Sequence, residues 1–246
     1  REGRNCQAIR NSDRAAFLID AKTYYDALVR VLPLARQRIV IVGWDLDPNI
    51  DLTPDDEETR ELGPFLRDLV DRNPALELKI LVWALGPVYA RKTLDLFRDH
   101  EWADHPRITL AFDRRHSLRA SQHQKIICVD GTLAFAGGMD LTSERWDDRR
   151  HLADQDLRRS PSGSPYGPVH DAQALVCGPA AGAICDVAAD RWRRATGDTL
   201  LPLDGAQAQW PDFIAPSRPT RRAARGLTMH PPWRAYWTRR ASWAAL

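Results

Sequence analysis

The chain has 246 residues, 43% of them apolar, which is enough for one substantial core or one domain with appendages and excludes disorder of the whole. Its formal charge of +2 hides an asymmetry: residues 1–212 carry 28 basic and 33 acidic side chains, a net of −5, and the last thirty residues hold seven arginines and no acid. A net-negative body lacks the signal of a nucleic-acid groove, and no apolar run reaches the roughly 18–20 residues that span a bilayer.

In chain order, Asp20 is placed to cap a helix in which Tyr25, Leu28, Val29 and Leu32 recur at i, i+3, i+4 and i+7, with Pro33 ending it. A strand from Ile39 to Trp44 follows, then a polar and acidic loop over 45–62. Pro64 opens a short helix to about Asn73, since proline suits the first helical position. Leu76 to Leu85 reads as a strand, Pro87 to about Phe97 as a helix and Arg107 to Phe112 as a third strand. Strand, helix, strand, helix, strand implies parallel pairing with helices on the sheet faces. Between Gln122 and Ala136 two apolar runs flank Asp130-Gly131, which predicts a hairpin and adds an antiparallel pair. Residues 147–168 form a long loop by composition, His170 to Cys177 is a strand, and Gly178-Pro179 leads into a helix with the stripe Ile184, Val187, Ala188, Trp192. The expected fold class is α/β, with a mixed, largely parallel sheet flanked by helices.

The domain boundary falls at 212. Residues 213–246 form a basic Arg/Trp-rich tail with no alternation and no helical stripe, expected to hold little fixed structure. Such a tail can attract anionic lipid, and its tryptophans 233, 237 and 243 can anchor at a membrane surface; the composition equally fits a shifted reading frame. Cys6, Cys128, Cys177 and Cys185 show no Cys-x-x-Cys pair and read as buried, reduced thiols. The chain begins Arg1-Glu2-Gly3-Arg4, unlike a secretory signal and without Met, which leaves room for an upstream piece. The expected setting is cytoplasmic, with peripheral membrane contact as the alternative.

The chemistry concentrates in His123 and Lys125, two apart in a strand-like run and therefore on one face. An imidazole nitrogen can attack phosphorus near neutral pH, and an ammonium beside it can hold the phosphate oxygens during displacement. An isolated His-x-Lys is more often a satisfied surface pair. Here it is followed by four residues and Asp130, then six residues and Gly137-Gly138-Met139-Asp140, then Leu141-Thr142 and Arg145-Trp146-Asp147-Asp148.

With that order of residues the chain resembles the phospholipase D superfamily, whose motif is His-x-Lys-x4-Asp-x6-Gly-Ser/Gly-x-Asn/Asp. The Gly-Gly-x-Asp form followed by Arg-Trp-Asp looks like the first of two copies in the phospholipase D and cardiolipin synthase branches. Gly43-Trp44-Asp45 and His170-Asp171 fit the same pattern. The resemblance implies that His123 is the nucleophile or its acid/base partner, that Lys125 binds phosphate and that Asp130 orients a histidine. It also implies that Gly138 and Asp140 shape the phosphate cradle and that His170 lines the site. Gly138 and Asp140 stand where the family often has Ser and Asn, which removes a hydroxyl donor. The implied substrate is a phospholipid or other phosphodiester, handled through a phosphohistidine without cofactor or metal. Only one His-x-Lys is present, so a second half is expected in cis in a longer product or in trans from a dimer. The alternatives are an inactive or truncated phosphate-binding half-domain and a homodimeric one-motif nuclease.

Other candidates are weaker. Arg145 either adds positive charge at the site or pairs with Asp147 or Asp148, Trp146 is expected to pack, and His170, a strand-end histidine beside an Asp, is more often structural than functional. His100-Glu101 and His105 resemble a zinc motif, but the i, i+5 spacing divides the imidazoles between helix faces.

Overall fold

The computed structural model describes residues 1–84, 101–115, 121–203 and 210–215, with the backbone of 234–236. The strands are β1 (Ile9–Asn11), β2 (Ala15–Ile19), β3 (Arg38–Gly43), β4 (Glu77–Trp83), β5 (Ile108–Asp113), β6 (Ile126–Val129), β7 (Leu133–Gly137), β8 (Ala172–Cys177) and β9 (Arg234–Tyr236). The helices are α1 (Asp20–Val31), α2 (Leu62–Arg72) and α3 (Pro179–Thr196). Seven strands form one sheet in the order β2-β8-β7-β6-β3-β4-β5, and β1 pairs with β9 separately.

The sheet is mixed and flanked by helices, as expected, but it is not largely parallel. Only β3–β4 and β4–β5 are parallel; β2–β8, β8–β7, β7–β6 and β6–β3 are antiparallel. The crossover through α2 imposes the parallel pairing of β3 with β4. The Asp130-Gly131 hairpin and the return of β8 beside β7 impose the antiparallel part. Both central turn residues have positive φ, 49° and 68°, and the Thr132 N–H closes the tight turn on Val129 O.

Alternation divides the core between two faces. Ile39, Ile41, Leu78, Ile80, Ile127, Val129 and Phe135 pack with α1 and α2, while Val40, Val42, Leu81, Ile126, Cys128 and Ala134 pack with Ile184, Ala188 and Trp192 of α3. Central strands buried on both faces therefore read as continuous apolar runs. The observed β3 and α2 begin within two residues of expectation. The helix expected over Pro87 to Phe97 lies outside the described residues, as do His100 and nearly all of the tail. Strand β2 was not anticipated, because its AAFLI run is short and merges into α1. The segment after α3 also returns to the body: Trp210 is buried in the core beside Ile214, and the Arg30 guanidinium lies 3.8 Å over the Phe213 ring. Among the described residues no helix is long and apolar enough to cross a membrane.

Candidate active site at one sheet edge

Strand direction decides which residues meet. The C-terminal ends of β2, β3, β4, β5 and β7 and the N-terminal ends of β6 and β8 share one edge. That edge carries Asp20, Trp44, the run His123–Lys125, Gly138–Asp140 and His170–Asp171. His123 and Lys125 lie in extended chain just before β6, rather than inside a strand. Their side chains nevertheless converge, both reaching the Trp44–Asp140 corner. Lys125 is buried with its Nζ 2.9 Å from Asp140 Oδ2, and Asp140 Oδ1 accepts the backbone N–H of Trp44 at 2.8 Å. The His123 ring sits edge-on to the Trp44 indole, centroids 6.1 Å apart at 67°.

The electrostatics favour a neutral imidazole. Burial lowers the proton affinity of His123 and the Lys125 charge lowers it further, against an opposing pull from Asp140. Burial also raises Asp140, although Lys125 and two backbone N–H groups pull it the other way.

Asp130 does not belong to this corner, contrary to expectation. It lies at the opposite end of β6, five residues of extended chain from Lys125, roughly 17 Å. Its carboxylate accepts the backbone N–H groups of Arg36, Gln37 and Arg38 at 2.8–2.9 Å, which ties the hairpin to the entry of β3. Spacing along a strand determines this, since residues at the two ends of one strand cannot share a site. Gly138 does not offer its amide to a phosphate either, because that N–H is spent on Ala172 O at 3.1 Å. Its lack of a side chain serves the close approach of Asp171, whose carboxylate a Cβ would strike. Asp140 keeps a supporting role, holding Lys125 and Trp44. Arg145 donates to Glu144 O, and the expected pairs form elsewhere: Arg158 with Asp147, Arg150 with Asp148. Trp146 is buried, as expected. His105 accepts the Arg107 N–H through Nδ1, a local turn contact.

His170 lies at the edge but faces a different partner. Its Nδ1 is 2.7 Å from Asp20 Oδ1, while His151 Nε2 is 3.3 Å from Asp20 Oδ2 and its Nδ1 is 3.0 Å from Asp147 Oδ2. Asp20 and His151 both hold positive φ, 65° and 44°, strained values for such residues. Asp20, His151 and His170 form a compact cluster, with one nitrogen or oxygen of each within 4.8 Å of the others. Residues 20, 151 and 170 are too far apart in the chain for spacing to reveal the cluster.

Comparison with known proteins places the chain. It is 27% identical over 152 residues to a phospholipase D of Phytophthora infestans, 24% over 223 residues to phospholipase D B of Dictyostelium discoideum and 27% over 173 residues to human phospholipase D1. The chain is similar to these phospholipase D proteins over half to three quarters of its length. The matches cover 54%, 76% and 65% of this chain, but only 8%, 18% and 16% of those relatives. No family model matches the chain. Among solved structures, Nuc of Salmonella typhimurium, itself a phospholipase D family member, is similar with a TM-score of 0.48 at 13% identity over 73% of this chain and 95% of that one. A phosphatidylserine synthase of Haemophilus influenzae gives 0.47 at 12% identity, over 74% of this chain and 38% of that one.

Proposed function

We propose that the chain supplies one half of a phospholipase D-type phosphodiesterase or phosphatidyltransferase site, acting on phospholipid through a phosphohistidine. The observation that carries this is the pairing of an exposed His123, whose proton affinity its surroundings lower, with a buried Lys125 at the same sheet edge. A His123 nitrogen attacks phosphorus, the bond to the leaving alcohol breaks, and the Lys125 charge holds the equatorial oxygens as negative charge shifts. The alkoxide takes a proton from an acid on the far side, and water or a second alcohol then displaces the phosphoryl group from nitrogen. Attack and departure lie on opposite sides of phosphorus, so one edge does not readily supply both histidines. The second comes from a matching half, in a longer product or in a partner chain.

The test is His123→Ala in the presence of a supplied second half. Loss of phosphodiesterase activity with an unchanged fold supports the reading, and near-normal turnover on a soluble phosphodiester overturns it. The single His-x-Lys of the sequence favours, as a second reading, a half-domain that binds phosphate and turns nothing over alone. Sedimentation with an activity assay separates the two: a discrete, active homodimer overturns the half-domain.

A further inference from the structure

Trp44 occupies an unusual place in this edge. It follows β3 directly, and three independent contacts fix it. Its indole stacks on Trp83 at the end of β4, centroids 5.7 Å apart at 28°. Its backbone N–H is held by Asp140, the same carboxylate that pairs with Lys125. It also meets the His123 ring at a steep angle, centroids 6.1 Å apart. Trp83 is itself buried at 5% exposure, so the stack has a rigid floor.

We propose that Trp44 is the positioning residue of His123: clamped between Trp83 and the Asp140-held backbone, its indole confines the imidazole to one orientation and shields one side of the ring from water. The inference rests on the reading of His123 as nucleophile, but not on the identity of the substrate. Two physical consequences follow. A ring walled on one side attacks from the other without first losing rotational freedom, which lowers the entropic part of the barrier. The same wall disfavours the charged imidazolium, and burial is the leading cause of the reduced proton affinity of His123. The charged groups acting on the ring besides this wall are Lys125, which works in the same direction, and Asp140, which opposes it. Asp140 therefore touches the nucleophile twice, electrostatically and through the backbone of Trp44.

The experiment is the titration of His123 by NMR, its ring resonance identified by its loss in His123→Ala, in wild type, Trp44→Ala and Trp44→Phe. In Trp44→Ala the midpoint is expected to move up toward the ordinary histidine value, with Trp44→Phe between the two because a smaller ring keeps part of the wall. Where turnover is measured with a second half supplied, Trp44→Ala should lower kcat more at pH 6 than at pH 8, with KM little changed. An unchanged His123 midpoint in a folded Trp44→Ala overturns the inference. If that variant does not fold, an unchanged midpoint in Trp44→Phe does so. The titration reports the surroundings of the ring whether or not the chain turns over substrate, so a failure of the catalytic reading remains distinct from a failure of this one.

Discussion

The ammonium of Lys125 and the carboxylate of Asp140 stand 2.9 Å apart with side-chain exposures of only 6% and 3%, so the cation assigned to substrate phosphate rests against a carboxylate in the free chain. Burial of such a pair is tolerated only while both members remain. Lys125→Met should therefore cost about 3–5 kcal/mol at neutral pH by leaving a buried carboxylate unpaired. Without Lys125, the proton affinity of Asp140, already raised by burial, rises further. Its protonation on acidification should then recover part of the loss. Denaturant melts at pH 7 and pH 5 check this, and an equal penalty at both pH values counts against the account.

The Asp130 variants separate structure from chemistry. Asp130→Ala removes the acceptor for three backbone N–H groups between α1 and β3. We expect a loss of about 1–3 kcal/mol, the cost of leaving such donors unmatched where they are partly buried. The His123 NMR titration should be unchanged in the folded fraction, because the carboxylate is at the far end of β6. A shifted His123 midpoint in a folded variant would show that Asp130 acts on the histidine after all.

Much of this architecture was legible in the residues. The apolar runs of β3 and β4, the Asp130-Gly131 turn and the Ile184–Trp192 stripe each carry a local signal with one physical meaning. The His123–Lys125 pair was singled out by period-two spacing, but the two residues precede β6, and the Trp44–Asp140 corner is what brings them together. What escaped depends on strand direction and on contacts between distant segments. The family resemblance gives Asp130 the task of orienting a histidine, but β6 carries it to the edge opposite His123 and Lys125. Gly138 looked like a phosphate cradle, yet β8 returns beside it and takes its amide. The Asp20–His151–His170 cluster joins three segments whose meeting is fixed by the β2–β8 pairing and the loop that precedes β8.

The two edge glycines should respond differently to a methyl group. A Cβ at Gly137 would strike the backbone oxygen of Ala172 as well as Gln173, and that backbone belongs to the β7–β8 ladder. At Gly138 the obstacle is the Asp171 carboxylate, the end of a side chain that can swing. Gly137→Ala should cost about 1–3 kcal/mol as overpacking, and Gly138→Ala clearly less. Equal penalties in chemical denaturation would mean that Asp171 is held as firmly as the backbone.

The last expectation concerns pH and the His151–Asp147 contact, whose partners titrate in opposite directions. The hydrogen bond to Asp147 raises the proton affinity of His151, assisted by the Asp20 and Asp147 charges and opposed by burial. Burial pushes Asp147 up, but bonds from His151, the Val169 and Asp148 amides and Arg158 outweigh it and hold the carboxyl below its usual range. For His151, a folded value above the unfolded one means a stabilisation fully present below the ordinary histidine value of about 6.5 and lost as pH rises through the folded value. For Asp147, a folded value below the unfolded one means a stabilisation present above the ordinary carboxyl value of about 3.9 and lost as pH falls through the folded value. Together they predict that this contact contributes most between those two ordinary values, with decline on either side. Subtracting the stability of His151→Gln from that of wild type across pH 3 to 9 isolates the contribution of the histidine. The difference should be largest near pH 5 to 6, shrink on the alkaline side as the imidazolium loses its proton, and shrink on the acid side as Asp147 gains one. A difference that stays flat from pH 5 to 9 would mean that His151 remains neutral in the folded chain, with Arg158 alone answering the Asp147 charge.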